Sequence, residues 1–101
     1  MFVVEVFDYC YGGSMGRYYY KNIENARKRF NEVLTKHFER FPDHLEDLIE
    51  ESEGEDTLED ILEWFFDQGY YENVVDIEEI KFLDWIKKIL KTPWQIKGFV
   101  L

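Results

Sequence analysis

The hydrophobic spacing of this chain changes period along its length, and those changes constrain the fold more than any motif does. Residues 2–9 alternate, with Phe2, Val4 and Val6 on one side and Val3, Glu5 and Phe7 on the other, in residue types that suit a strand. Gly12, Gly13 and Gly16 offer positive-φ positions for a connection into a second short strand over 17–20, so a β-hairpin is predicted. From Ile23 the period becomes helical: Ile23, Ala26, Phe30, Val33, Leu34, His37, Phe38 and Phe41 form one stripe. Asn22 is placed to cap that helix, Glu24 suits its first turn and Pro42 ends it.

Asp43 with Glu46 reads as a carboxylate capping box for a short helix whose apolar residues are Leu45, Leu48 and Ile49. After a loop over 52–56, Thr57 and Asp60 repeat the signal. Leu58, Ile61, Leu62, Phe65 and Phe66 then carry a stripe to Gly69, a left-handed terminator. Residues 70–75 fit a loop or a short strand. Asp76 with Glu79 reads as the cap of a last helix through Ile80, Leu83, Ile86, Ile89 and Leu90, broken at Thr92 and Pro93 and followed by a strand over 95–101. With strands at both ends and helices between, the expected fold is α+β: a small antiparallel sheet, from the N-terminal hairpin and the C-terminal strand, with three to four helices packed on one face.

The chain has 101 residues, which suits a single domain over 1–101. A composition 46% hydrophobic and 19% aromatic argues for a folded core despite a formal net charge of −10. No apolar run reaches membrane-spanning length, and the apolar start carries Glu5 and no basic flank, so a cytoplasmic location and no membrane partner are expected. Cys10, the single cysteine, cannot form an internal disulfide, and with His37 and His44 it is too sparse for a zinc site.

Charge is distributed unevenly. Residues 41–80 contain sixteen acidic side chains and no Lys or Arg, whereas residues 85–101 contain four lysines and no acid. The acids avoid the apolar stripes: Glu46, Asp47, Glu50 and Glu51 line one helix, and Glu59, Asp60, Glu63 and Asp67 line the next. Like charges three or four residues apart cost a helix about 0.2–0.5 kcal/mol per pair. Such a surface would compete with nucleic acid for a basic groove on a protein, would repel nucleic acid itself, and would lose affinity as salt rises. The bland alternative is a solvated face with no specific partner.

Tyr9, Tyr11, Tyr18, Tyr19 and Tyr20 crowd the predicted hairpin and make a second candidate surface, with Tyr18, Tyr19 and Tyr20 its strand residues, since tyrosine is frequent at interface hot spots. Alternation sends Tyr18 and Tyr20 to one side and Tyr19 to the other, which favours the core for part of the cluster. The glycine turn at residues 12–16 precedes a strand, unlike a phosphate-binding loop. Cys10 and His37 have no third group to make a nucleophilic constellation. An EF-hand register through Gly54 would put Ile49 where an acid is needed. No catalytic residue, cofactor or metal is expected.

In its opening Phe2-Val3-Val4-Glu5-Val6-Phe7-Asp8-Tyr9, glycine turn, helix over 25–38 and closing strand over 96–101, the chain resembles small proteins of bacteriophages and mobile elements. Its acidic middle is similar in kind to anti-CRISPR and anti-restriction inhibitors that imitate nucleic acid. That resemblance implies a non-enzymatic inhibitor seated in the basic channel of a CRISPR or restriction effector, acting in the host cytoplasm. The other reading is an adaptor or homo-oligomer, such as a homodimer, that binds through the tyrosine-rich hairpin.

Overall fold

The computed structural model describes residues 1–91 in full and the backbone of 96–100. Strand β1 (Phe2–Phe7) pairs antiparallel with β2 (Ser14–Tyr20) through a turn in which Gly12 and Gly13 have φ of 74° and 81°. The expected hairpin is present, with β2 three residues longer at its start than the sequence suggested. Helix α1 (Ile23–Arg40) begins where the side chain of Asn22 accepts from the Glu24 amide at 2.7 Å, and ends before Pro42. The backbone then continues almost directly into α2 (Pro42–Glu51).

The start of α2 corrects the capping assignment. Pro42 occupies the first turn, Phe41 is the N-cap residue, and no side chain caps the helix. Proline pre-sets the first helical φ and lacks an amide that would need a partner there, so the Asp43–Glu46 box is not required. Helix α3 (Leu58–Gln68) follows the sequence closely. Thr57 and Asp60 exchange the reciprocal bonds of a capping box, and Gly69 ends the helix in the left-handed region at φ 86°.

A second correction concerns residues 70–79. Tyr70–Tyr71 form a short strand β3, and Val75–Glu79 form β4, so Asp76 and Glu79 lie in a strand rather than at a helix start. The alternation of Val75 and Ile77 with Asp76 and Glu78 is a strand pattern that the capping-box spacing had masked. Helix α4 (Phe82–Lys91) starts two residues beyond β4, and β5 (Ile96–Val100) follows it. The expected break at Thr92 and Pro93, and residues Gln95 and Leu101 of the expected last strand, lie outside the described residues.

The result is an α+β fold. Its sheet has the order β3-β4-β1-β2-β5, antiparallel throughout the first four strands, with β5 added parallel to β2. Because β4 and β5 run in the same direction, the chain between them must cross over, and α4 supplies that crossover across β1 and β2.

This crossover corrects the one-face arrangement. Val4, Tyr20 and Val75 pack against Ala26, Phe30, Leu34 and Phe38 of α1, with α2 and α3 completing that side. Val3 and Tyr19 point to the opposite side, where Trp85 of α4 covers them. Trp85 is fully buried, its ring 6.2 Å from that of Tyr19, and its indole N–H donates to the Phe2 carbonyl at 3.2 Å. Burying a large side chain is worth about 1.5–3 kcal/mol, and both faces of β1 receive that contribution. By contrast Leu45, Leu48 and Ile49 of α2 are only half-buried, making α2 the least anchored of the helices below the sheet.

Candidate functional site

Helical spacing turns the acids of α2 and α3 away from the core, and the structure places them in solvent. Glu46, Asp47, Glu50 and Glu51 on α2, and Glu59, Asp60, Glu63 and Asp67 on α3, are all exposed. Among the described residues the ion pairs are Glu5–Arg17, Glu32–Arg29 and Glu78–Lys88, none of them on α2 or α3. Both helices also lack a basic residue in the last turn, where Glu50, Glu51 and Asp67 face the negative end of the helix dipole. Glu50, Glu51 and Asp67 therefore raise the energy of the helices that carry them, whereas Glu59 and Asp60 face the favourable end of α3.

Asp60 differs from the others. Its carboxylate accepts from the Thr57 amide at 2.9 Å and the Thr57 hydroxyl at 3.0 Å, and these bonds hold it below the usual carboxylate range. It is primarily a cap residue.

The acids lie on both flanks of α3. On one flank, Glu51, Asp56 and Asp60 line a groove of about 320 Å³ floored by Leu48, Ile61 and Phe65. On the other, Glu59 and Glu63 line a cleft of about 220 Å³ beside Arg27, whose guanidinium lies 4.3 Å from the centre of the Phe66 ring. The negative surface is thus bounded on its α1 side by a cation already engaged with the core.

The tyrosine cluster of β2 is corrected by burial. Tyr19 is fully buried against Trp85, Tyr20 is buried against α1, and Tyr18 is half-buried beneath Arg29, 4.1 Å from the ring centre. Strand alternation divides the three between the two cores, which removes them as a docking surface. Exposed aromatic residues lie outside β2, among them Tyr11 in the hairpin turn at 92%. Tyr9 is 38% exposed, Trp64 56% and Tyr70 53%. These three converge with Leu48, Phe65 and Tyr71 on a cleft of about 410 Å³, whose polar lining is Gln68, Glu72 and Asn73.

The elements around this cleft are well fixed. Phe65 and Tyr71 meet edge-to-face at 4.6 Å, and Trp64 and Phe65 at 4.7 Å. Asn73, at φ 63°, turns the chain from β3 into β4, and the Ile77 amide donates to the Gly69 carbonyl at 2.8 Å. A sequence signal for the site did exist: Trp64 stands off the apolar stripe of α3, among Asp60, Glu63 and Asp67, where a large aromatic residue has no core to enter.

The remaining candidates are occupied structurally. His37 is buried, with its Nε2 2.9 Å from Nδ1 of His44, while the Cys10 sulfur accepts from Arg40 at 3.3 Å, so the cysteine and His37 do not pair with each other. The amides of Cys10 and Tyr11 donate to the Asp8 carboxylate at 2.9 and 3.1 Å. That bonding makes the glycine segment an aspartate-stabilised turn. Among the described residues no group of His, Cys, Asp and Glu is arranged to hold a metal ion, and no helix is long and apolar enough to cross a membrane.

Comparison with known proteins gives no relative for this chain: no protein family, curated protein or solved structure matches it.

Proposed function

We propose that the chain is a non-catalytic binding module whose α2 and α3 carboxylates compete with nucleic acid for a basic groove on a protein partner. The observation that carries this reading is the set of exposed carboxylates on two consecutive helices, without ion pairs among the described residues and close enough to repel one another. A cationic groove would relieve that repulsion, and release of counterions would make the association strongly salt-dependent. The finer form of the proposal is an inhibitor of a nucleic-acid-handling defence complex of the CRISPR or restriction kind, working in the cytoplasm. Tyr18, Tyr19 and Tyr20 pack in or against the two cores and give less support to binding through the hairpin.

The test is capture from a lysate of the cells that carry the protein. Wild-type chain and a Glu46→Lys, Glu50→Lys, Glu59→Lys, Glu63→Lys variant would be immobilised side by side, with Asp60 spared because it holds the α3 cap. The expected result is a partner that added DNA or RNA displaces, that elutes as salt rises, and that the variant does not retain. A partner retained equally by both chains and indifferent to nucleic acid would overturn the proposal.

A further inference from the structure

The cleft between α3 and the β3–β4 turn is a concave aromatic surface whose walls, Tyr9 apart, come from the stretch that has no basic residue, and its exposed rings lack the covering arginines found elsewhere among the described residues. Three arginines of α1 lie over aromatic rings: Arg27 over Phe66, Arg29 over Tyr18 and Arg40 over Phe41, at 4.3, 4.1 and 5.0 Å. Among the described residues no such cation covers Tyr9, Trp64 or Tyr70. A ring face carries negative electrostatic potential, and carboxylates nearby deepen it. Glu72 lies in the lining, and Glu51, Asp56 and Asp60 line the adjoining groove.

We infer that this cleft is an arginine-binding slot, taking the guanidinium of an extended basic segment of the protein partner between Trp64, Tyr70 and Tyr9. The inference rests on the binding reading proposed above and names its anchor point. Two features favour arginine in a polypeptide over other cations. A planar, weakly hydrated guanidinium stacks on rings while still donating to carboxylates at its edge, whereas an ammonium keeps its water. The cleft and the adjoining groove also share Leu48, Trp64 and Phe65 as common walls, so together they form an elongated track rather than a closed pocket. An extended segment can place one arginine against the rings and its neighbours against Glu51, Asp56 and Asp60.

The role of the ring cluster is affinity and selectivity, and the role of the helical carboxylates is attraction at longer range. These two contributions separate experimentally. Acetylated tetra-arginine and tetra-lysine peptides would be titrated into the full chain, labelled with 15N, following the Trp64 indole N–H and the dissociation constant. The tetra-arginine peptide is expected to shift the Trp64 signal and to bind several-fold more tightly than tetra-lysine. Trp64→Ala with Tyr70→Ala should lower the arginine affinity several-fold, to the lysine level, because both rings are solvent-exposed contributors to the slot. A Glu46→Gln, Glu50→Gln, Glu59→Gln, Glu63→Gln variant should weaken both peptides alike.

Equal binding of the two peptides, unaffected by loss of Trp64 and Tyr70 but reduced in the glutamine variant, would overturn the slot and leave the acidic-surface reading intact. Binding unaffected by either variant would overturn both. A concentration-dependent dimer of the free chain that Trp64→Ala dissociates would overturn the slot by showing that a second copy fills it. Cooperative thermal unfolding of each variant establishes that the fold is retained.

Discussion

His37 Nε2 lies 2.9 Å from His44 Nδ1, joining the last turns of α1 to the start of α2 across a cluster that also contains Tyr9, Phe41 and Tyr71. One ring donates and the other accepts, so the contact requires a lone pair on one of them. Burial, then the neighbouring His44 and Arg40, lower His37 from 6.5 to about 4. Below pH 6.5 the unfolded chain therefore takes up a proton that the folded chain refuses. The contribution of His37 is complete above that pH and is lost as pH falls towards 4. Between pH 7 and 4.5 this should remove on the order of 2 kcal/mol. His37→Phe keeps the ring contacts and abolishes the titration. Urea unfolding at the two pH values should show a larger acid loss in wild type than in the variant, and equal losses would show that His37 does not titrate with unfolding.

Trp85 unites α4 with the sheet, so its truncation should loosen the upper layer while leaving the α1 side packed. Trp85→Ala opens a large cavity over Val3 and Tyr19 and should cost about 3–5 kcal/mol. Trp85→Phe retains a ring and loses the bond to the Phe2 carbonyl, for a smaller cost of about 1–2 kcal/mol. Denaturant unfolding gives both values. Hydrogen exchange should show faster opening of α4 amides than of α1 amides in the phenylalanine variant.

The ends of α3 position Trp64, and each end depends on one residue. Thr57→Ala removes the cap acceptor and should cost about 1 kcal/mol. At Gly69 an added Cβ would lie 3.5 Å from the Ile77 carbonyl oxygen, an ordinary contact, so the cost of Gly69→Ala comes from its φ of 86°. That penalty is about 1–2 kcal/mol. Thermal unfolding should show both losses. Combined, they should be close to additive, since the two positions sit at opposite ends of the helix.

Much of this arrangement was legible in the spacing of residues. The stripe from Ala26 to Phe38, the Asn22 and Thr57 caps and the Gly69 terminator are local signals, and each corresponds to local geometry. The acids of α2 and α3 were also readable, because helical spacing alone fixes which side of an amphipathic helix meets water. Strand β4 was concealed because Asp76 and Glu79 satisfy a capping pattern while Val75 and Ile77 satisfy a strand pattern. Pairing with β1, which is non-local, decides between them. The side of the sheet taken by α4 depends on the crossover between two parallel strands, and Trp85 carries no local mark of that choice. The tyrosines of β2 were conspicuous in sequence, yet Tyr19 and Tyr20 are buried and Tyr18 is half-buried, whereas the aromatic cleft gathers Tyr9, Trp64 and Tyr70 from three separate segments.

The carboxylates of α2 and α3 allow a final prediction that connects stability with binding. Glu46 with Glu50, and Glu59 with Glu63, are like-charge pairs one helical turn apart, and Glu50 also faces an unfavourable helix end. Changing all four to Gln preserves size and helix propensity while removing the repulsion, and the dipole gain at Glu50 is offset by the loss of Glu59 from the first turn of α3, so the free chain should gain about 0.5–1 kcal/mol, a few degrees in Tm for a domain this small. Salt acts on the same repulsion by screening. Raising NaCl from a few millimolar to 0.5 M should therefore raise the wild-type Tm more than that of the glutamine variant, and the two curves should converge. Thermal unfolding across a salt series measures both effects. A variant that melts no higher than wild type at low salt would mean that the charges are compensated within the fold, which would leave a cationic partner with no repulsion to relieve.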